Sequence, residues 1–138
     1  MKSAGWRQKI AMVVMLGLFC GCVAPPAPAD PPLTRSAVEQ TLNAWNPQYC
    51  KFVELYGFYK GEGAGATQVA YVLVANPEDK QAKTQVFAAR FQLLTLADGR
   101  QQWFLTSLMT HSAGLSRRGG WDNLMIAVKD KDANAASR

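Results

Sequence analysis

Sulfur and imidazole are scarce in this chain: three cysteines, Cys20, Cys22 and Cys50, and one histidine, His111. A thiolate beside an imidazole would make a Cys–His nucleophile, and such partners meet in space rather than in sequence. Nothing in the sequence brings Cys50 and His111 together. No serine sits in the glycine-flanked turn that exposes a hydrolase nucleophile, which weakens a Ser–His–acid triad on His111. One histidine, one thiol and scattered carboxylates make a poor metal site, and the acidic residues lack calcium-loop spacing. Gly61 to Gly65 is rich in glycine but lacks the lysine and the strand-to-helix context of a phosphate-binding loop. The expectation is a chain that is not an enzyme and uses no metal or cofactor.

Binding chemistry is better represented. Arg117, Arg118, Gly119, Gly120 and Trp121 put two cations and an indole in one loop. Arg and Trp are enriched at binding hot spots, so this loop is a candidate contact surface. Its alternative is a solvated loop whose Trp121 packs into the following strand. A second candidate patch, Leu94, Trp103, Leu105 and Met109, depends on the register of two strands.

Those residues are positioned by the elements around them. Ser36 to Glu39 is a capping box, and Val38, Leu42 and Trp45 follow on one helical face until Pro47. Lys51–Lys60 is aromatic and strand-like, and Gln68–Ala75 is apolar on both faces, as a central strand would be. Asn76 to Asp79 is a turn. Thr84–Ala97 and Gln101–His111 are two strands joined by Asp98-Gly99, a two-residue hairpin signal. A two-residue loop pairs Ala97 with Arg100, Leu93 with Phe104 and Ala89 with Leu108. Phe87, Ala89, Phe91, Leu93, Phe104 and Leu108 then share the core face. Leu94, Trp103, Leu105 and Met109 share the opposite face, together with Arg90, Gln92 and Ser107, where a partner, the tether, the tail or another strand would cover them. Trp121–Lys129 is expected to form a last strand or a short helix. The fold class is α+β: an N-terminal helix packed on a curled antiparallel sheet of four to five strands. In element order it is similar to cystatin-like and NTF2-like domains, folds that host unrelated functions.

The first 32 residues have a different character. Met1 to Lys9 is short and basic, Ile10 to Phe19 is uncharged and largely apolar, and Gly21 precedes Cys22. That is the layout of a secretory signal, and the apolar run is too short for a permanent span. Phe19-Cys20-Gly21-Cys22 resembles the lipobox of bacterial lipoprotein signals at Gly21 and Cys22. It departs at Phe19, where leucine is usual, and at Cys20. The resemblance implies cleavage before Cys22 and lipidation there. Val23, where an aspartate would imply inner-membrane retention, implies the periplasmic face of the outer membrane. Five of the ten residues from Val23 to Pro32 are proline. Such a run stays near polyproline II and spans roughly 30 Å as a spacer.

The expected organisation is signal 1–21, lipidated tether 22–32, domain 33–129 and a tail 130–138. Formal net charge is +5, but from Cys22 onward 12 Lys/Arg stand against 10 Asp/Glu, scattered rather than blocked. That pattern argues against nucleic acid. With Cys20 removed and Cys22 lipidated, Cys50 is the remaining thiol. Tyr49 and Phe52 beside it favour burial, with an interchain disulfide or a reactive role as the alternatives. The leading functional expectation is a non-enzymatic accessory or scaffold lipoprotein that binds an envelope protein, as in a secretion machine. A small hydrophobic-ligand carrier and a hydrolase inhibitor are the alternatives.

Overall fold

In the computed structural model, which describes Gly21, Ala24, Pro26 and residues 29–111 and 119–131, the helix α1 spans Arg35–Trp45. Its cap is Thr34, not Ser36. The Thr34 hydroxyl accepts from the Ala37 amide at 3.1 Å, while Ser36 sits inside the first turn and accepts from the Gln40 side chain. The capping box is thereby corrected by two residues. Thr34 wins because its extended backbone follows directly on Pro32 and Leu33, and Leu33 and Val38 both enter the core at hydrophobic-staple positions. Val38 and Leu42 are fully buried and Trp45 half-buried, as the periodicity requires.

The sheet is an antiparallel meander of β1 (Lys51–Lys60), β2 (Thr67–Ala75), β3 (Gln85–Thr95) and β4 (Gln101–Thr110). Two short strands, β5 (Gly120–Trp121) and β6 (Ile126–Ala127), both pair with β4. They replace the single expected strand over Trp121–Lys129. The chain turns between them at Asn123, which has a positive φ of 53°. The α+β class is therefore as expected, with a curled open sheet and α1 against one face.

The β3–β4 register differs from expectation, and the reason is the turn. Gly99 donates to the Leu96 carbonyl and Leu96 donates to the Arg100 carbonyl, so three residues, not two, form the loop. Gly99 takes φ +84°, as the last loop residue of that turn requires. Each pair near the turn shifts by one: Leu93 faces Trp103 and Phe91 faces Leu105. Thr106 is then an extra residue, a bulge between Leu105 and Ser107, which restores the expected pairing of Ala89 with Leu108. The bulge is held on both sides, because Thr106 donates to the Arg90 carbonyl and accepts from the Leu124 amide.

Two bulges also shape β1. Val53 and Tyr56 are its extra residues, so the side chains facing the core, Phe52, Leu55 and Phe58, recur every third position instead of every second. The core joins these to Val38 and Leu42 of α1 and to Val72, Phe91, Leu105 and Leu108 of the sheet. The C-terminal segment closes it along α1: Lys129 donates to the Thr41 hydroxyl and Lys131 to the Gln40 side-chain carbonyl.

Candidate functional site

The patch expected from Leu94, Trp103, Leu105 and Met109 does not form. Trp103 is 6% exposed and Leu105 fully buried, both on the face under α1. The one-residue shift at the turn moved them there and sent Phe104 to the opposite face. Leu94 and Met109 remain opposite the helix but at different ends of it. Between them lie the rows of Gln92 with Phe104 and Arg90 with Ser107. Arg90 donates to the Glu62 carbonyl, so the glycine-rich loop folds onto that middle stretch.

Trp121 packs inward, against α1 and β3 rather than into the strand that follows it. Its ring meets Trp45 edge-on at 5.2 Å and stacks near Phe87 at 6.3 Å. Gly120 makes this approach possible: a Cβ there would lie 2.1 Å from the Leu108 carbonyl oxygen. Arg117 and Arg118 lie outside the described residues, as does Cys22.

Cys50 and His111 are not brought together. Cys50 is 1% exposed, in the core beneath α1, and burial pushes its thiol up to about 11. His111 lies on the other side of the sheet, its ring against Tyr71 at 5.0 Å. Among the described residues no cluster of three metal-ligating side chains occurs, and no helix is long and apolar enough to cross a membrane.

Two surfaces remain. The first is the sheet face opposite α1. Cross-strand pairing places Val69, Tyr71 and Leu73 of β2 beside Val86 and Ala88 of β3 and Met109 of β4. Tyr59 joins from β1, its ring over Gly57 and 5.2 Å from Tyr71. Tyr59, Tyr71 and His111 thus form an aromatic row across the sheet. At the β1 edge Val53, Tyr56 and Tyr59 are 44%, 54% and 58% exposed, high for such large apolar side chains. Sequence reasoning expected a partner on the face opposite the core but placed it on β3 and β4 alone, Met109 among its residues; it missed the part built by β1 and β2, although Gln68–Ala75 is apolar on both sides. A lone helix covers only one side of a sheet, and that was the available signal.

The second surface surrounds the start of the domain. The Trp103 indole donates to the Pro31 carbonyl at 2.7 Å, and Gln101 reaches the Asp30 carboxylate at 3.4 Å. Leu33 is buried in the core. Asp30 to Leu33 therefore forms a strap over Trp103. A groove of about 470 Å³ lies on one side, by Ala37, Gln102 and Val128. Another of about 370 Å³ lies on the other, by Phe58, Tyr59 and Gln68.

No protein-family model, curated protein or solved structure matches the chain.

Proposed function

We propose that this chain is an exported accessory protein of the cell envelope, lipidated at Cys22 and tethered to the periplasmic face of the outer membrane. It acts without catalysis, as a scaffold subunit, and binds a protein partner through the sheet face opposite α1. The observation that carries the reading is the aromatic row of Tyr59, Tyr71 and His111 among Val69, Leu73 and Met109, on the face of the sheet opposite α1, the one helix among the described residues. Contiguous apolar surface with aromatic anchors is what protein interfaces use. The lipobox-like Phe19 to Cys22 supports the anchor, and Pro25, Pro26 and Pro28, which precede the strap, support a short spacer.

A ligand carrier gains less support. The interior it would use is filled by Phe91, Leu93 and Leu105, and Phe104 points to the other face.

Two measurements test the reading. Intact mass of membrane-extracted protein should give a chain beginning at Cys22 with acyl groups, and a mature chain without lipid rejects the anchor. Crosslinking in cells should capture a recurrent envelope protein, and Tyr59→Ser with Tyr71→Ser should abolish that capture while the domain stays folded. Undiminished capture by the double variant rejects the sheet face as the docking surface.

A further inference from the structure

The strap is held by chemistry used to recognise proline-rich segments. Asp30 and Pro31 each precede a proline, which restricts both to extended backbone. Proline also fixes its own φ, so little conformational freedom remains to be lost on docking. An extended proline pair laid on an aromatic floor, its carbonyl taken by an indole N–H, is the arrangement by which polyproline II ligands are bound. Here the Trp103 indole donates to the Pro31 carbonyl, Trp103 lines both adjoining grooves together with Pro31 and Pro32, and Gln101 holds Asp30.

We propose that the Trp103 groove is a receptor site for an extended proline-rich protein segment, filled in this chain by its own Asp30–Leu33. The strap uses only the middle of the site. The two flanking grooves, of about 470 and 370 Å³, lie on either side of it, one between Ala37 and Val128 with Lys129 and Lys131 at its wall, the other beside Phe58 and Gln68 with Lys60. A longer proline-rich segment supplied by a partner would fill those flanks and gain contacts that the strap lacks. It must still compete with an occupant on the same chain, whose effective concentration is on the order of millimolar. The site is thus closed to short or weak ligands and open to extended ones. Neither lipidation nor the opposite sheet face enters this competition.

The test uses the full chain, isotopically labelled, in detergent. The probe is a blocked synthetic peptide of residues 24–33, and the control is the same peptide with alanine for every proline. The readout is the Trp103 indole N–H resonance, assigned by its loss in Trp103→Phe. In the wild type the peptide should move this resonance only at high concentration. In Pro31→Gly with Pro32→Gly, which loosens the strap and leaves the Thr34 cap intact, half-saturation should fall at least about tenfold. The alanine control should leave it in place in both. A variant whose Trp103 resonance ignores the peptide at about 5 mM, well above the strap's own competition, overturns the proposal. An equal response to the control peptide also overturns it. Should the double variant unfold, the wild type decides alone: peptide-dependent movement of Trp103 supports the site, and its absence at the same concentration overturns it.

Discussion

Cys50 and Gly120 show how much a single position can carry. Cys50 is buried beneath α1 with its thiol pushed up to about 11, so the folded protein holds it as the neutral thiol. In the unfolded chain it ionises near its ordinary value of 9.0. Above that pH the unfolded state binds fewer protons, so stability falls as pH rises, by about 2 kcal/mol on approaching pH 11. Denaturant titrations of wild type and Cys50→Ala at pH 7 and pH 10 should show a steeper alkaline loss in the wild type. Alkylation of Cys50 should follow global unfolding, and rapid labelling of the folded protein would contradict its burial. Gly120 stands at φ +138° against the Leu108 carbonyl, with no room for a methyl group. Gly120→Ala should cost about 2 kcal/mol or more and release Trp121 from Trp45, seen as a changed near-ultraviolet circular dichroism signal. Trp121 could be read from its neighbours as a contact residue or as packed into the next strand, and its contacts with Trp45 and Phe87 place it inward on other elements.

Among the elements, α1 and the four long strands were legible because their signals are local: a 3.6-residue apolar face, aromatic runs, and turns of Pro, Asn, Asp and Gly. The register of β3 with β4 was not. Asp98-Gly99 suits a two-residue turn and a three-residue turn alike, because glycine takes positive φ in both. The choice shifts each nearby pair by one and exchanges the faces of Trp103 and Phe104. Parity held the missing clue: Trp103, Leu105 and Leu108 share the core face only if one residue between them is extra, and that residue is Thr106. Two substitutions test these ends. Gly99→Ala should cost about 1 kcal/mol through the positive φ alone, since a methyl group there meets nothing. Thr34→Ala should cost a similar amount, about 1 kcal/mol, by leaving the Ala37 amide without its cap. Both are read from thermal or denaturant midpoints, and an unchanged midpoint in Thr34→Ala would return the cap to Ser36.

On the scale of the whole molecule, the described residues form one helix and one sheet, with α1 on one face and, among those residues, no helix on the other. The aromatic row of Tyr59, Tyr71 and His111 was hidden from sequence reasoning, which followed the face opposite the core only along β3 and β4; the row comes from β1, β2 and the residue after β4, and only strand pairing assembles it. Tyr71→Ser alone should leave folding largely intact, because Tyr71 is only half-buried, yet weaken partner capture at least about fivefold. Quantitative crosslinking beside a thermal melt distinguishes that outcome from simple unfolding. The strap gives the molecule a mechanical character as well. Tension applied from the N-terminal side reaches the Asp30–Gln101 contact and the Pro31–Trp103 hydrogen bond first, and only afterwards Leu33 in the core and the helix cap. Those early contacts are few and lie in series with the load, so they yield one at a time. Peeling Asp30 to Pro32 frees roughly 9 Å of already extended chain, at about 3.1 Å per residue, before Leu33 passes the load to the core. A protein pulled at its N-terminus would stretch there like a spring in front of its fold, and recoil when the pull ended.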